Sequence, residues 1–532
     1  MATPQGSQTL WRANLTVACG TALSRATGLI RIIIFGAMIG QTALADAYDA
    51  ANNAPNVVYE LLLGGILAAS LVPLFTRYIQ DGDDEAVNAI SSVAVVALAA
   101  ITTLALIASP LIFRVFSLHP ASEIDVALFR STGTNLTRLF VVQIFFYGLT
   151  AIASAILNSK RRFFAAAWTP VIANVVTIFA LLAIPRTTSM KPPTMGEVAG
   201  NNSLRLLLGL GSTSGIIAMT MFMVVALVRS GSKLRWNLDL KHPAVKKLIR
   251  LSGWAMGYVV ANQIALVVIK NLASPGSGNV DAYSKAYTFF SLPHGLLAVS
   301  IATTFVPDLA RAAVNLDTVR FHEKFISGVR LTALVTIPAA FGMFVLARPL
   351  VAMLLQHGSF DSSATQNTAR ALTGLSIGLA GFSVYLFVLR GFYAKNDTRT
   401  PFLINLFENI LNIVFAILLV KRFDVLGLGL AFSLAYLISA VVALFVMQRE
   451  SPGFKAASLL VGLVPMLLSA LVMAIGVRSS SRLLADHTAP VGLDATTQVF
   501  SGLIVGVIIY WAMLYSFGVN EVRKFLSRKL DR

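Results

Sequence analysis

An all-α, polytopic membrane protein with about 14 transmembrane helices is the fold class this sequence predicts. Three observations lead there. Of 532 residues, 56% are hydrophobic and 12% charged, where a soluble chain carries about 25% charged residues; mean hydropathy is +0.75. The apolar residues fall in runs of about 20 or more, the length a bilayer core requires. The net charge of +18 sits mostly in the short connections between those runs. That is the positive-inside pattern, not the basic soluble domain that nucleic-acid binding would need.

In chain order the expected spans are 15–39, 44–76, 86–113, 129–157, 165–184, 203–228, 250–272, 280–308, 327–355, 367–393, 401–420, 425–448, 456–477 and 497–518. Residues 1–14 are polar and no small-residue cleavage site follows, so the first run reads as an uncleaved membrane helix. Cys19 is the single cysteine, which excludes a disulfide framework or a thiolate zinc site; it reads as a small buried residue. With the N-terminus inside, the inner connections hold Arg77, Lys160, Arg161, Arg162, Arg229, Lys233, Arg235, Lys246, Lys247, Arg311, Lys395 and Arg449. The outer ones hold few basic residues, such as Arg186, Lys191 and Arg478. The bias places both termini in the cytoplasm, and an even number of spans agrees. The longest inner connection leads into "DLKHPAVKKLIRLSG" (Asp239 to Gly253). It reads either as a basic amphipathic segment on the anionic inner surface or as a solvated linker into the seventh span.

The chain repeats internally. "GGILAASLVPLFTRY" (Gly64 to Tyr78) ends the second span and "VSIATTFVPDLARA" (Val299 to Ala312) the eighth; both place a basic residue four positions after Val-Pro. "TPVIAN" (Thr169 to Asn174) opens the fifth span and "TPFLIN" (Thr400 to Asn405) the eleventh. The offsets, 307 − 73 = 234 and 400 − 169 = 231, nearly agree. An offset of six spans keeps the topology, so the halves are parallel six-helix lobes, a transporter arrangement with its substrate site near the midplane between them. The expected organisation is a first lobe over 1–230, a second over 231–449, two extra helices over 450–520 and a basic cytoplasmic tail over 521–532.

The first span, "SRATGLIRIIIFGAM" (Ser24 to Met38), contains Arg25 and Arg31. From Leu15, Arg25 lies about 15 Å deep at 1.5 Å per residue, and Arg31 about 9 Å further and 120° round the helix. A midplane guanidinium costs about 2.5–3.5 kcal/mol on insertion scales and should face a partner, a wet cavity or a ligand. Asp46, Asp49 and Glu60 of the second span are the available partners, and Lys285 opens the eighth. Pro55 and the Gly64-Gly65 pair suggest that the second span is broken or bent. Two readings stand. The arginines bind an anionic ligand, a diphosphate being well suited to bidentate guanidinium contacts. Alternatively, they only pair with Asp46 and Asp49 to lock the first two helices together. The candidate substrate-binding residues are Arg25, Arg31, Asp46, Asp49, Glu60 and Lys285.

The eleventh span carries Asn405, Asn409 and Asn412 on one face, with Glu408 expected to point elsewhere; the seventh carries Asn262 and Gln263. Asn262, Asn405 and Asn409 are candidate sodium ligands, since hard cations take oxygen donors. Interhelical hydrogen bonding is the plainer role for membrane asparagines. No other cofactor is expected.

"SRATGLIR", "NAPNVVYELLLGGILAASLVPLF", "AILNSKRRFFAAAWTPVIANVV", "SLPHGLLAVSIATTFVPDLARA", "LLQHGSFDSSATQNTARAL" and "RGFYAKNDTRTPF" occur in order through the first twelve spans. Together they resemble the MurJ (MviN) family of lipid II flippases, within the multidrug/oligosaccharidyl-lipid/polysaccharide exporter superfamily. The resemblance implies transfer of lipid II, an undecaprenyl-diphosphate-linked muropeptide, from the inner to the outer leaflet of the bacterial cytoplasmic membrane. It implies alternating access, a cationic cavity for the headgroup, a tail groove formed with the last two helices, and cell-wall synthesis proteins and membrane lipids as partners. The family arginines fall on Arg25 and Arg31, and the aspartate opening the second span on Asp46. Where many members have an arginine pair, this chain has Tyr59 and Glu60; where many have an arginine before the eighth-span proline, it has Thr288, with Lys285 as the expected substitute. Some members bind sodium, and Asn405 and Asn409 match that pattern in part.

Rival functions are a sibling flippase for another polyprenyl-diphosphate sugar, a drug exporter, a membrane enzyme acting on lipid-linked sugars, or a scaffold. A cationic cavity argues against export of cationic drugs. An enzyme would need acid/base or metal groups at a membrane face, and the chain has no HExxH or paired metal motif. A scaffold needs no intramembrane arginine.

Overall fold

The computed structural model describes residues 4–60, 71–188, 192–232, 234–451, 453–485 and 491–519. These form helices and connections, with no strand among the described residues. The contacts divide into two compact units, Met1–Gly278 and Asn279–Arg532. The sequence reading placed the boundary at 230/231. The helix Pro243–Leu272 instead packs with the first unit, where the Asn271 amide donates to the Val115 carbonyl (2.8 Å) and its oxygen accepts from the Leu118 N–H (2.6 Å).

The first unit holds α1 (Pro4–Ile39), α2 (Ala43–Glu60), α3 (Val72–Gln80), α4 (Asp84–Ile107), α5 (Ser109–Val115), α6 (Val126–Val141), α7 (Gln143–Ser159), α8 (Phe164–Leu182), α9 (Met195–Gly200), α10 (Asn202–Arg229) and α11 (Pro243–Leu272). The second holds α12 (Asn279–Pro293), a π turn (His294–Ala298), α13 (Val299–Val314), α14 (Thr318–Leu355), α15 (Ser362–Ser376), α16 (Leu379–Ala394), α17 (Arg399–Phe423), α18 (Val425–Glu450), α19 (Ala456–Val461), α20 (Val464–Leu483) and α21 (Val491–Ser516).

Among the described residues, eleven stretches are long and apolar enough to cross a membrane, and the α15–α16 pair, bent by 48°, makes twelve. Two expected spans remain. The seventh appears as the shorter apolar helix Gly257–Leu272. The second begins as α2, which runs unbroken through Pro55; its Gly64-Gly65 lies outside the described residues. The chain is a multi-pass membrane protein whose apolar outer faces suit lipid.

Helix ends follow from side-chain chemistry. Asp83, Asp125, Asp317 and Asp361 each accept an N–H from the first turn of the helix they precede, at 2.8–3.0 Å. The residues before α11 are pinned on α4, the Arg235 N–H donating to Asn88 Oδ1 (2.9 Å) and the Asn237 N–H to Ser92 Oγ (3.0 Å). Ala244 and Val245 then enter the core, so the basic stretch leads directly into α11. Packing within each unit follows the sequence repeat. In the first, α8 packs on α10, α2 on α6 and α10 on α7; in the second, α17 packs on α18, α12 on α15 and α18 on α16. Helices α20 and α21 pack on each other and on α14. Cys19, expected to be buried, is exposed: α1 packs chiefly on α8, which leaves its other faces uncovered.

Candidate functional site

Arg25 and Arg31 lie on one continuous helix, α1, with Arg25 exposed and Arg31 half-buried. The "TPVIAN" motif seats this part of α1. Asn174 of α8 donates to the Ser24 carbonyl (3.2 Å) and to Thr27 Oγ1 (3.1 Å). Arg31 is close enough to the phenols of Tyr48 on α2 and Tyr147 on α7 for its charge to act on both. The Tyr48 hydroxyl bonds Ser212 of α10, and Tyr147 packs against Tyr59 with ring centroids 4.3 Å apart. Neither guanidinium has an ion-pair or hydrogen-bond partner among the described residues.

The carboxylates expected to hold them are engaged elsewhere. Asp46, 0% exposed, accepts the backbone N–H groups of Gly276 and Gly278, both at 2.8 Å. Both glycines have positive φ, +98° and +86°, a conformation that turns the chain after α11 so that two donors converge on one oxygen. Asp49 pairs with Lys270 of α11 and also accepts from Asn53 Nδ2 (3.1 Å). Glu60 accepts from Gln263 Nε2 (2.9 Å). The helix-locking reading is therefore corrected: α2 is locked to α11 and its following turn, through Asp46 and Asp49, and not to the arginines of α1.

Lys270 went unnoticed in the sequence although it interrupts the apolar run "IALVVIKNL" (Ile264 to Leu272). A further signal was present. Asp46-Ala47-Tyr48 recurs as Asp281-Ala282-Tyr283, at an offset of 281 − 46 = 235 that matches the other repeats. In the second unit Asp281 pairs with Lys285 one turn on, with side chains 6% and 5% exposed, and the ammonium lies 5.3 Å from the Phe360 ring centroid. Lys285, expected to substitute for a missing arginine, is enclosed and neutralised within its own unit.

On α17 the expectation for Glu408 is also corrected. Glu408 is 1% exposed and shares the buried face with Asn405 (0%), Asn409 (5%) and Asn412 (7%). Position 408 lies three residues from 405 and four from 412, which fits one stripe about 100° wide. Tyr436 lies beside the carboxyl, yet neither Glu408 oxygen, nor Asn412 Oδ1, has a hydrogen-bond partner of good geometry. Buried oxygens of this kind fit a hard cation. Asn262, the third candidate sodium ligand, is half-buried on α11 of the first unit. No group of three or more His, Cys, Asp or Glu is arranged for a metal among the described residues.

An apolar groove of about 660 Å³ runs between α14, α20 and α21 of the second unit, lined by Leu334, Pro338, Gly342, Val477, Gly506 and Trp511 among others.

The family model described as "Lipid II flippase MurJ" matches residues 35–523. A lipid II flippase MurJ from Burkholderia cenocepacia is 31% identical over 400 residues, covering 74% of this chain and 75% of its own. A probable lipid II flippase MurJ from Rhizobium meliloti is 27% identical over 526 residues, covering 96% and 95%. Among solved structures, lipid II flippase MurJ in an inward closed conformation superposes with a TM-score of 0.77 at 22% identity, over 97% of this chain and 100% of that one. An inward-facing multidrug resistance transporter of the MATE family, in the MOP superfamily, reaches 0.66 at 14% identity, over 82% and 95%. With a family model spanning nearly its whole length and a relative above 30% identity, this chain belongs to the lipid II flippase MurJ family.

Proposed function

We propose that this protein flips lipid II from the inner to the outer leaflet by alternating access, and that Arg25 and Arg31 bind its diphosphate. The observation that carries the reading is the charge pattern of the first unit: two guanidiniums of the first span without a counter-charge among the described residues, beside carboxylates already satisfied by Lys270, Gln263 and backbone N–H groups. An unpaired arginine at that depth is costly, and the diphosphate dianion relieves the cost through short, charge-assisted, bidentate hydrogen bonds. Flipping needs no bond to break, so the protein supplies recognition and a polar path. The apolar groove of α14, α20 and α21 suits the polyprenyl tail, which stays in hydrocarbon while the headgroup moves. The positive-inside charge pattern supports placement in the cytoplasmic membrane with both termini inside. Where sodium binds, the oxygens of Asn405, Glu408, Asn409 and Asn412 would hold it, and the ion would neutralise Glu408.

The test is depletion of the native flippase in a bacterium that expresses this chain. Arg25→Ala and Arg31→Ala are each expected to abolish rescue at normal protein level and to stop outward exposure of lipid II in vesicles. Full growth with both substitutions would overturn the role of the arginines. Rescue without any change in lipid II exposure would overturn the substrate.

A further inference from the structure

The first unit carries a cationic concavity away from Arg25 and Arg31. Its volume is about 370 Å³, and it is walled by the first described side chains of α1, the end of α7, the start of α8 and the end of α10. Arg161, Arg162 and Arg229 line it, together with the apolar side chains of Val17, Leu157 and Phe163. No carboxylate lines it, and none of the three arginines has an ion-pair partner among the described residues. The size lies within the roughly 300–1,000 Å³ of small-molecule sites.

The fold builds this shape in two ways. The α7–α8 turn closes as a Schellman-type cap. Arg161 adopts φ +58°, and the Arg162 N–H reaches the Leu157 carbonyl at 2.9 Å, so two successive arginines project from one turn. The far wall is fixed by Trp168, whose indole N–H donates to the Thr16 carbonyl of α1 at 3.1 Å while its ring stacks on Phe164. Gly20 permits that seat: a Cβ there would lie 2.8 Å from the indole. Phe163 and Phe164 are 46% and 52% exposed beside the arginines, the pairing of aromatic and basic residues found where helices meet the headgroup layer.

We propose that this concavity binds the phosphate headgroup of an anionic phospholipid of the inner leaflet. Guanidinium forks match a phosphodiester, the apolar wall accepts the first acyl carbons, and basic pockets between helices on the cytoplasmic side recognise such lipids. The site is distinct from Arg25 and Arg31. It rests on the orientation proposed above, which puts its mouth at the inner leaflet.

The experiment measures thermal stability of the purified full chain in detergent, titrated with phosphatidylglycerol, phosphatidylcholine, glycerol 3-phosphate or lipid II. Phosphatidylglycerol is expected to raise the wild-type midpoint at concentrations where phosphatidylcholine does not. Arg162→Gln and Arg229→Gln should each weaken that response by about tenfold, the loss of one charge-assisted hydrogen-bonding group. Arg161→Gly, which suits the positive φ, should do the same without lowering the lipid-free midpoint. Native mass spectrometry of the wild type with each lipid gives an independent reading should a variant fail to fold. Equal responses to phosphatidylcholine and phosphatidylglycerol, or an unchanged phosphatidylglycerol response in all three variants, overturns the proposal. So does saturation by glycerol 3-phosphate alone, or loss of the lipid II response in the same variants. Orientation is tested separately by labelling Lys241→Cys, in a Cys19→Ser background, with an impermeant thiol reagent from each side. Outward labelling would overturn the topology while leaving the binding result standing.

Discussion

Lys270 and Asp49 offer a prediction whose size can be worked from burial alone. The Lys270 side chain is 7% exposed and that of Asp49 24%. Asp49→Asn leaves a buried ammonium without a counter-charge, a lesion of about 3–5 kcal/mol when one partner of a buried pair is removed. Lys270→Met is milder. The stranded Asp49 carboxylate is a quarter exposed and keeps its 3.1 Å hydrogen bond from Asn53, so the loss is nearer the 1.5–3 kcal/mol or so of one hydrogen bond to a charged group. Replacing both, Asp49→Leu with Lys270→Met, removes the desolvation cost together with the attraction and should be close to neutral. Thermal midpoints of the three variants in one detergent, read by size-exclusion chromatography of fluorescent fusions, give the order: double variant near wild type, Lys270→Met lower, Asp49→Asn lowest. Equal losses in the two single variants would refute the burial argument. A double variant as unstable as the sum of the singles would show that the pair is not the relevant interaction.

Other outcomes follow from the same structure. Asp46→Ala strands two buried N–H groups, at Gly276 and Gly278, and should cost about 1–3 kcal/mol for each, read as early melting in the same assay. Asn174→Ala removes two hydrogen bonds to α1; a loss of about 1–2 kcal/mol should accompany slower lipid II exposure. Gly342 faces open space in the apolar groove, where a Cβ meets nothing within 4 Å. Gly342→Ala should therefore stabilise α14 by about 0.5–1 kcal/mol and keep full activity. Gly342→Trp should fold but block lipid II exposure by filling the groove; an active Trp variant would remove the tail from that groove.

The fold was legible in the sequence because lipid imposes simple rules: apolar runs of span length, basic residues gathered in the connections, and motifs recurring at nearly one offset. Gly64-Gly65 aside, each expected span meets a helix at its place in the order. Partnership was less legible. Spacing puts Asp46 and Asp49 on one face of α2, but cannot say which helix that face meets. α11 meets it, with Lys270 and a glycine turn whose donors are backbone N–H groups and leave no mark in side-chain patterns. The direction of Glu408 was misjudged for a related reason: a helix packed on a broad partner buries a stripe wide enough to include positions either side of an ideal row. α17 packs on α18 in this way.

The corrected partnerships alter the energetics of transport. Had Asp46 and Asp49 paired with Arg25 and Arg31, an arriving diphosphate would first have had to displace two carboxylates. Removing either partner of such pairs would have left a buried charge, so alanine at the arginines would have destabilised the fold as well as the activity. With the carboxylates held by Lys270 and by backbone donors, the arginines are expected to carry little of the fold's stability. Under the proposed role their charge is available in full to the ligand, whose diphosphate supplies the neutralisation. Release then requires only that water or counter-ions replace the phosphate once the path opens outward, with no rearrangement of internal ion pairs. This separates stability from binding. Arg25→Ala and Arg31→Ala should leave the melting midpoint unchanged while abolishing lipid II exposure, whereas Asp49→Asn should lower the midpoint first. Melting curves that fall together for all three variants would mean the arginines are structural after all, whatever the transport assay reads.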